Sequence, residues 1–394
     1  MRYSEFTRRI DGAGAAAWQL HWKAMEAQRA GRDVIVLSVG DPDFDTPAVV
    51  TETAIASLRR GDTHYADIIG LPEARAAVAR RHSQDSGQEV GPANVAIVPG
   101  AQGGLFAAAM SILDPGDEVL APEPMYLTYE ATIQGAGAKL VRVPCLAENG
   151  FHLDIGDLEE AITPRSKAIF LANPNNPTGA VLSRANVEGL ARLAQRHDLW
   201  VVADEVYKAL VFEGEHVSVA SLPGMAERCI TVSSLSKSHA MTGWRFGWIV
   251  GPIELIGHVG HLGLCTLYGL PAFIQNAGIR GLQHGIPEVR AMHSAYRRRR
   301  DLAFSALAQA PGLHCHRPAA GMFMLVDVRG TGLAAGDFAW RLFDETGVSV
   351  LDASAFGRSA VGHVRLSFAI DDAKLQRACE RIAGFVAGLP VPAV

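Results

Sequence analysis

The chain has 394 residues. At roughly 150 residues per domain it holds about two or three domains and needs no disulfide or metal staple to bury a core. With 48% hydrophobic and 20% charged residues, wholesale disorder is excluded, and a net charge of −5 supplies no large positive field for nucleic acid. The five cysteines (Cys145, Cys229, Cys265, Cys315 and Cys379) contain no C-x-x-C pair, which excludes a disulfide framework and a thiolate zinc site and points to a reducing cytoplasm.

The N-terminus has no apolar core of a signal peptide. The first element expected is a helix over 18–30, followed by a short strand over 37–40. Asp41, Asp43, Asp45 and Glu52 have the spacing of a calcium loop, but Thr46 stands where glycine is needed and Pro42 stiffens the turn, so no calcium site is expected. The histidines have no metal-ligand spacing either. Residues 95–98 read as a strand, Pro99-Gly100 as a turn, and 102–113 as a helix. Further strands are expected at 118–121, 140–143 and 167–172, the last closed by the turn 173–179. A helix over 185–196 precedes strands at 199–203, 230–233 and 247–250. Strands this apolar are buried on both faces, the pattern of an α/β fold with a mostly parallel sheet. The apolar stretch 246–270 contains Glu254, His258, His261 and several glycines, which argues against a membrane span.

Beyond it, a long helix is expected over 287–309, with the basic run Arg297 to Arg300 as a solvated stretch. Strands at 322–328, 348–351 and 363–369, a helix over 338–346 and a last helix from Asp371 make a compact α+β unit. The expected division is a large domain at 45–285 and a smaller one from 1–44 and 286–394.

In such a sheet, ligands sit beyond the carboxyl ends of the strands. Those ends carry Asp204 and Tyr207, Ser234, Ser236 and Lys237, the Asn/Pro turn, and Pro99-Gly100-Ala101-Gln102 entering a helix. A glycine before a helix N-terminus makes a phosphate site. Lysine forms a Schiff base with an aldehyde, and aspartate keeps a pyridine nitrogen protonated. Pyridoxal phosphate fits each part, with Lys237 as the proton carrier at Cα. Singly, each residue has a simpler role: Asp204 as a helix cap, Tyr207 in the core, 173–179 as a turn, Lys237 on the surface. Four strand ends with complementary chemistry outweigh those readings. Ser234-x-x-Lys237 also matches the S-x-x-K of penicillin-binding serine enzymes, but no K-T-G partner is present. No G-x-G-x-x-G follows a strand, which removes dinucleotide binding.

Residues 234–247 (SLSKSHAMTGWRFG) resemble the S-x-S-K-x-x-x-M-x-G-x-R-x-G signature of class I/II aminotransferases, fold type I. Residues 37–44, Tyr65 with Gly70 and Arg75, 173–179, 204–207 and Arg365 resemble further blocks of that family, and the resemblance covers nearly the whole chain. It implies a large domain with a mostly parallel seven-stranded sheet beside a smaller α+β domain. It also implies that Lys237 carries the Schiff base, that Asp204 pairs with the ring nitrogen, and that Tyr207 and Asn176 bond the ring oxygen. Tyr126 would stack on the ring. Ser234, Ser236, Arg245 and the backbone of Gly100, Ala101 and Gln102 would hold the phosphate. Arg365 and the Gly40 backbone would grip the substrate carboxylate, with Asn176 beside them. Tyr65 would reach the phosphate of a neighbouring subunit, so a homodimer with shared sites is implied.

Within that family, 1–10, 61–68, 121–130 and 234–245 look most like the arginine–pyruvate transaminases. That implies L-arginine as donor and pyruvate as acceptor in a ping-pong reaction. Asp67 and Glu123 are then candidate carboxylates for the guanidinium. The alternative is a β-lyase acting on cystathionine-like thioethers. A ligand-sensing domain of a transcription factor is disfavoured, because residues 37–44 lie too near the start for a preceding DNA-binding domain.

Overall fold

The computed structural model describes residues 1–11 and 17–390; the parts of the expected smaller domain at 12–16 and 391–394 lie outside the described residues. The strands in chain order are β1 (Ile35–Val36), β2 (Val95–Pro99), β3 (Glu118–Glu123), β4 (Lys139–Pro144), β5 (Ser166–Ala172), β6 (Trp200–Asp204) and β7 (Cys229–Ser234). They continue as β8 (Phe246–Val250), β9 (His314–His316), β10 (Phe323–Asp327), β11 (Val348–Ser349), β12 (Leu351–Asp352) and β13 (His363–Ser367).

One seven-stranded sheet has the order β2-β8-β7-β6-β5-β3-β4. It is mostly parallel, as expected, with β8 antiparallel to both its neighbours. Side chains alternate between two cores. Ile169, Leu171, Val201 and Ala203 pack with Val187, Leu190 and Ala194 of the helix Arg184–Arg196. Their immediate neighbours Ala168, Phe170 and Val202 pack on the other side with Leu105, Ala108 and Ala109 of the helix Gly100–Ile112. Both faces are covered, which is why these strands carry no polar alternation.

A four-stranded antiparallel sheet, β12-β13-β10-β9, lies in the C-terminal part, where the helices Pro287–Leu307, Ala335–Thr346 and Asp372–Ala387 also fall. Three expectations are corrected here. The single strand expected over 348–351 is two: β11 pairs in parallel with β1, whereas β12 joins β13 in the other sheet. The strand expected over 37–40 sits instead at Ile35–Val36, although the Leu37 N–H still donates to the Ser349 carbonyl at 2.8 Å. Beyond it the backbone bends, and Gly40 leaves the ladder.

The basic run is the third correction. Arg297 and Arg298 are exposed, but Arg299 and Arg300 are 4% and 0% exposed. Arg300 pairs with Glu213 and Asp301 and lies over the Phe212 ring. Arg299 donates through Nη1 and Nη2 to both carboxylate oxygens of Asp43, at 2.7 and 2.9 Å, and through Nε to Asp372 at 2.8 Å. A guanidinium can be buried when its fork is filled in this way. It ties the N-terminal loop at Asp43 to the C-terminal helix. Arg299→Ala strips Asp43 of its bidentate partner, while Asp372 keeps Arg298 at 2.9 Å, and is expected to cost about 2 kcal/mol, since both carboxylates retain contact with water. A urea unfolding curve checks this; an unchanged midpoint would contradict it.

Candidate active site

A cavity opens at the carboxyl ends of the parallel strands. Gly40, Ala101, Gln102, Tyr126, Asn176, Asp204, Tyr207, Ser234, Ser236, Lys237, Arg245 and Arg365 all line it. Asp204 is the last residue of β6 and Ser234 the last of β7. Lys237 stands three residues further on, so parallel neighbours aim these groups at one space.

The turn from β2 into the helix Gly100–Ile112 supplies backbone N–H groups at Ala101 and Gln102. Gly100 has φ +72°, and a Cβ there would come within 2.2 Å of Arg245 Nη2. A Cβ on Gly247 would come within 2.5 Å of the Gly100 carbonyl carbon. Both positions demand glycine because two backbones and a guanidinium meet there. Arg245 itself adopts φ +58° and donates to the carbonyls of Thr242 (2.7 Å) and Pro99 (3.2 Å), which brings its guanidinium over the helix N-terminus. With the Ser234 and Ser236 hydroxyls, these groups form a cradle for a phosphate-sized anion.

Asp204 is buried, and its Oδ1 accepts the Val206 N–H at 3.0 Å. Burial pushes its pKa up to about 7, opposed by that N–H and reinforced by the neighbouring Glu205 carboxylate. No basic side chain among the described residues forms an ion pair with it. Lys237 Nζ donates to the Gly40 carbonyl at 2.6 Å. Burial pulls its pKa down to about 8; Asp41 opposes this, while Arg365 and Arg245 add to it. Burial also holds the Tyr207 phenol protonated well above its ordinary range and raises the pKa of Tyr126.

Arg365 lies in the middle of β13 and is 2% exposed. Its guanidinium is stacked between the rings of Phe323 (3.9 Å) and Phe356 (4.8 Å). Nη1 donates to Asn176 Oδ1 at 3.1 Å and Nη2 to the Ser38 carbonyl at 2.9 Å, while the buried Nε lacks a partner. Burial lowers its pKa to about 10, yet it stays cationic at neutral pH. A buried cation with an unspent donor is suited to a carboxylate ligand.

Two sequence candidates lie elsewhere. Tyr65 is 86% exposed and meets Tyr268 edge-on, with centroids 5.0 Å apart, outside the cavity of its own chain. Asp67 is likewise exposed and does not line the cavity. Glu123 is corrected as a guanidinium acceptor: it is buried, paired with Arg142, and accepts the backbone N–H groups of Arg358 and Ser359. Its carboxylate closes a loop and does not line the cavity. Conversely, Trp18, Val39, Thr242 and Phe323 line the cavity and were not read as site residues. Thr242 falls within the 234–247 motif. Val39 falls within the 37–44 block, whereas Trp18 and Phe323 carry no local signal, because they arrive from other segments.

Sheet, cradle, lysine and arginine together define an α/β enzyme for small anionic substrates. The sequence profile of the family "Aminotransferase class I and II" matches residues 32–382, and the chain belongs to that family. It is 53% identical over 383 residues to an arginine–pyruvate transaminase of Pseudomonas aeruginosa, covering 97% of this chain and 98% of that one. It is 39% identical over 366 residues to an aspartate/prephenate aminotransferase of Thermus thermophilus, covering 92% and 93%. Among solved structures, the Thermus thermophilus aspartate aminotransferase with maleate matches with a TM-score of 0.93 at 37% identity, covering 98% of this chain and all of that one. The aromatic aminotransferase from Pyrococcus horikoshii matches with a TM-score of 0.88 at 35% identity, covering 92% and 98%. The protein is thus an aminotransferase of fold type I, and the β-lyase alternative loses its support.

Proposed function

We propose that this aminotransferase uses pyridoxal phosphate to move the amino group of L-arginine to pyruvate, and that it acts as a homodimer in the cytoplasm. One observation carries the reaction: Lys237, Asp204 and Arg365 line a single cavity next to an anion cradle. The choice of substrates is supported by the likeness to the Pseudomonas aeruginosa enzyme.

The residues present fit the cofactor. A buried carboxylate without a cationic partner suits a pyridinium N–H, and the Gly100–Arg245 corner suits the phosphate. When bound, pyridoxal phosphate supplies an aldehyde and an electron-withdrawing ring that stabilises charge at the substrate Cα. Asp204 would keep the ring nitrogen protonated. Tyr207 and Asn176 would hydrogen-bond the ring oxygen, and Tyr126 would cover the ring. The N–H groups at Gly100, Ala101 and Gln102 would hold the phosphate with Ser234, Ser236 and Arg245. Lys237 Nζ would hold the aldehyde carbon and would carry the proton from the substrate Cα. Its depressed pKa keeps a useful fraction neutral near pH 7–8.

Arg365 grips the α-carboxylate of donor and acceptor in turn, helped by Asn176 and the Gly40 backbone. A single clamp used in both half-reactions suits a ping-pong cycle. Arg365→Lys loses the planar fork and is expected to raise KM for both substrates roughly 30-fold with a smaller fall in kcat. Steady-state kinetics with each substrate varied in turn check this, and an unchanged KM would remove Arg365 from the site.

The exposed Tyr65–Tyr268 pair, with Leu264 and Leu267 nearby in sequence and also exposed, supports a second copy at this face and Tyr65 reaching the neighbour's phosphate. The five free cysteines support a reducing compartment. The division into a large cofactor-binding domain at 45–285 and a smaller α+β domain from 1–44 and 286–394 is part of the same proposal.

The deciding experiment is an absorbance spectrum of the purified protein, titrated with single L-amino acids and no oxo acid. Bleaching of a yellow protein by low L-arginine supports cofactor, half-reaction and donor together. A response to another amino acid alone removes arginine as donor. A protein that stays colourless with added pyridoxal phosphate overturns the cofactor.

A further inference from the structure

We propose that Trp18 is a specificity-determining residue whose indole face receives the guanidinium of the substrate; this rests on the reading of arginine as donor. Trp18 is half-buried and lines the cavity with Val39 and Gly40. Its ring meets that of His21 edge-on, with centroids 5.3 Å apart. His21 Nδ1 lies 2.9 Å from Ser38 Oγ, and the Ser38 carbonyl accepts from Arg365 Nη2 at 2.9 Å. This run of contacts fixes the indole on the Arg365 side of the cavity. A substrate whose carboxylate sits on Arg365 has its side chain to lay along that wall.

A carboxylate or an aromatic face is a favourable partner for a guanidinium inside a protein, and one that recognises its charge. Among the described lining residues Asp204 is the single carboxylate, and the cofactor ring claims it. Glu123 is spent on Arg142 and the 358–359 backbone. Asp41 accepts the Thr242 hydroxyl at 2.7 Å and lies exposed, outside the lining residues. Of the aromatic rings, Phe323 already carries the Arg365 guanidinium, while Tyr126 and Tyr207 are assigned to the cofactor. Among this chain's described lining residues Trp18 is the ring left over, and indole is the strongest of the three aromatic partners for a cation.

The test uses the holoenzyme and pyruvate, with L-arginine compared against its neutral isostere L-citrulline. The readout is the ratio of their kcat/KM values, which cancels general damage to folding or cofactor loading. In Trp18→Leu the preference for arginine is expected to fall about tenfold, chiefly through KM, and Trp18→Phe is expected to recover part of it. A ratio unmoved in Trp18→Leu overturns the proposal, and so does a ratio that collapses in Asp41→Asn alone. A wild-type enzyme that does not turn over arginine overturns the donor reading and this proposal with it, a result distinct from arginine turnover with an unmoved ratio.

Discussion

Replacing Lys237 with alanine is expected to reduce turnover by at least about 10⁴-fold while the protein still folds. Two functions meet at this one nitrogen, holding the aldehyde and moving the proton, and loss of a positioned acid–base group alone costs about 10²–10⁴. The fold is expected to tolerate the change, because the side chain makes one hydrogen bond, to the Gly40 carbonyl, and its charge is already disfavoured by burial. Steady-state rates and a thermal melt measured side by side check both halves; a variant retaining full activity would sink the assignment. The lowered pKa adds a pH signature. Lys237 is mostly protonated below about 8, so uptake of pyridoxal phosphate by the apoprotein rises with pH and levels off above that value. An ordinary surface lysine would keep rising towards its usual 10.5.

Asp204→Asn is expected to lower kcat about 10³-fold with a smaller change in KM. An amide cannot hold the ring nitrogen protonated, so the charge that stabilises the transition state is lost while the substrate clamp at Arg365 is untouched. The same substitution is expected to change stability in the opposite sense. The folded-state pKa of Asp204 is raised from 3.8 to about 7, so the native apoprotein binds more protons than the unfolded chain between those values. Its contribution is therefore fully present below about pH 4 and is lost as pH rises through 7. Asparagine abolishes that loss, and the apoprotein of the variant should melt at a higher temperature than wild type at pH 8. A lower melting temperature at that pH would mean that Asp204 is not held against its charge. The site would then be one of those that trade stability for function.

Much of the fold and much of the site are legible in the sequence. The apolar strand 199–203 and the turn at 173–179 are specified by residues a few positions apart, through side-chain periodicity and turn chemistry. The same holds for Gly100, which needs its positive φ, and for the run from Ser234 to Arg245, whose members share one loop. Asp204 and Lys237 follow, because the ends of neighbouring parallel strands aim at one space. Arg365 was readable through the family resemblance, since nothing around it in the chain marks it as a clamp.

Other features were decided by partners far away in the chain. Arg299 looks solvated by its neighbours and is buried because Asp43, 256 residues away, fills its fork. Glu123 looks free at a strand end and is spent on the backbone of 358–359. Residues 348–352 read as one strand and divide between two sheets because β1 and β13 claim different halves. Trp18 enters the cavity through His21 and Ser38, from a segment with no motif of its own. The sequence by itself determined the elements, the α/β class and the lysine–aspartate chemistry, since these depend on local spacing. Which charges are neutralised, which rings wall the cavity and where a strand changes sheet depended on contacts between distant segments, and only the tertiary structure decided them.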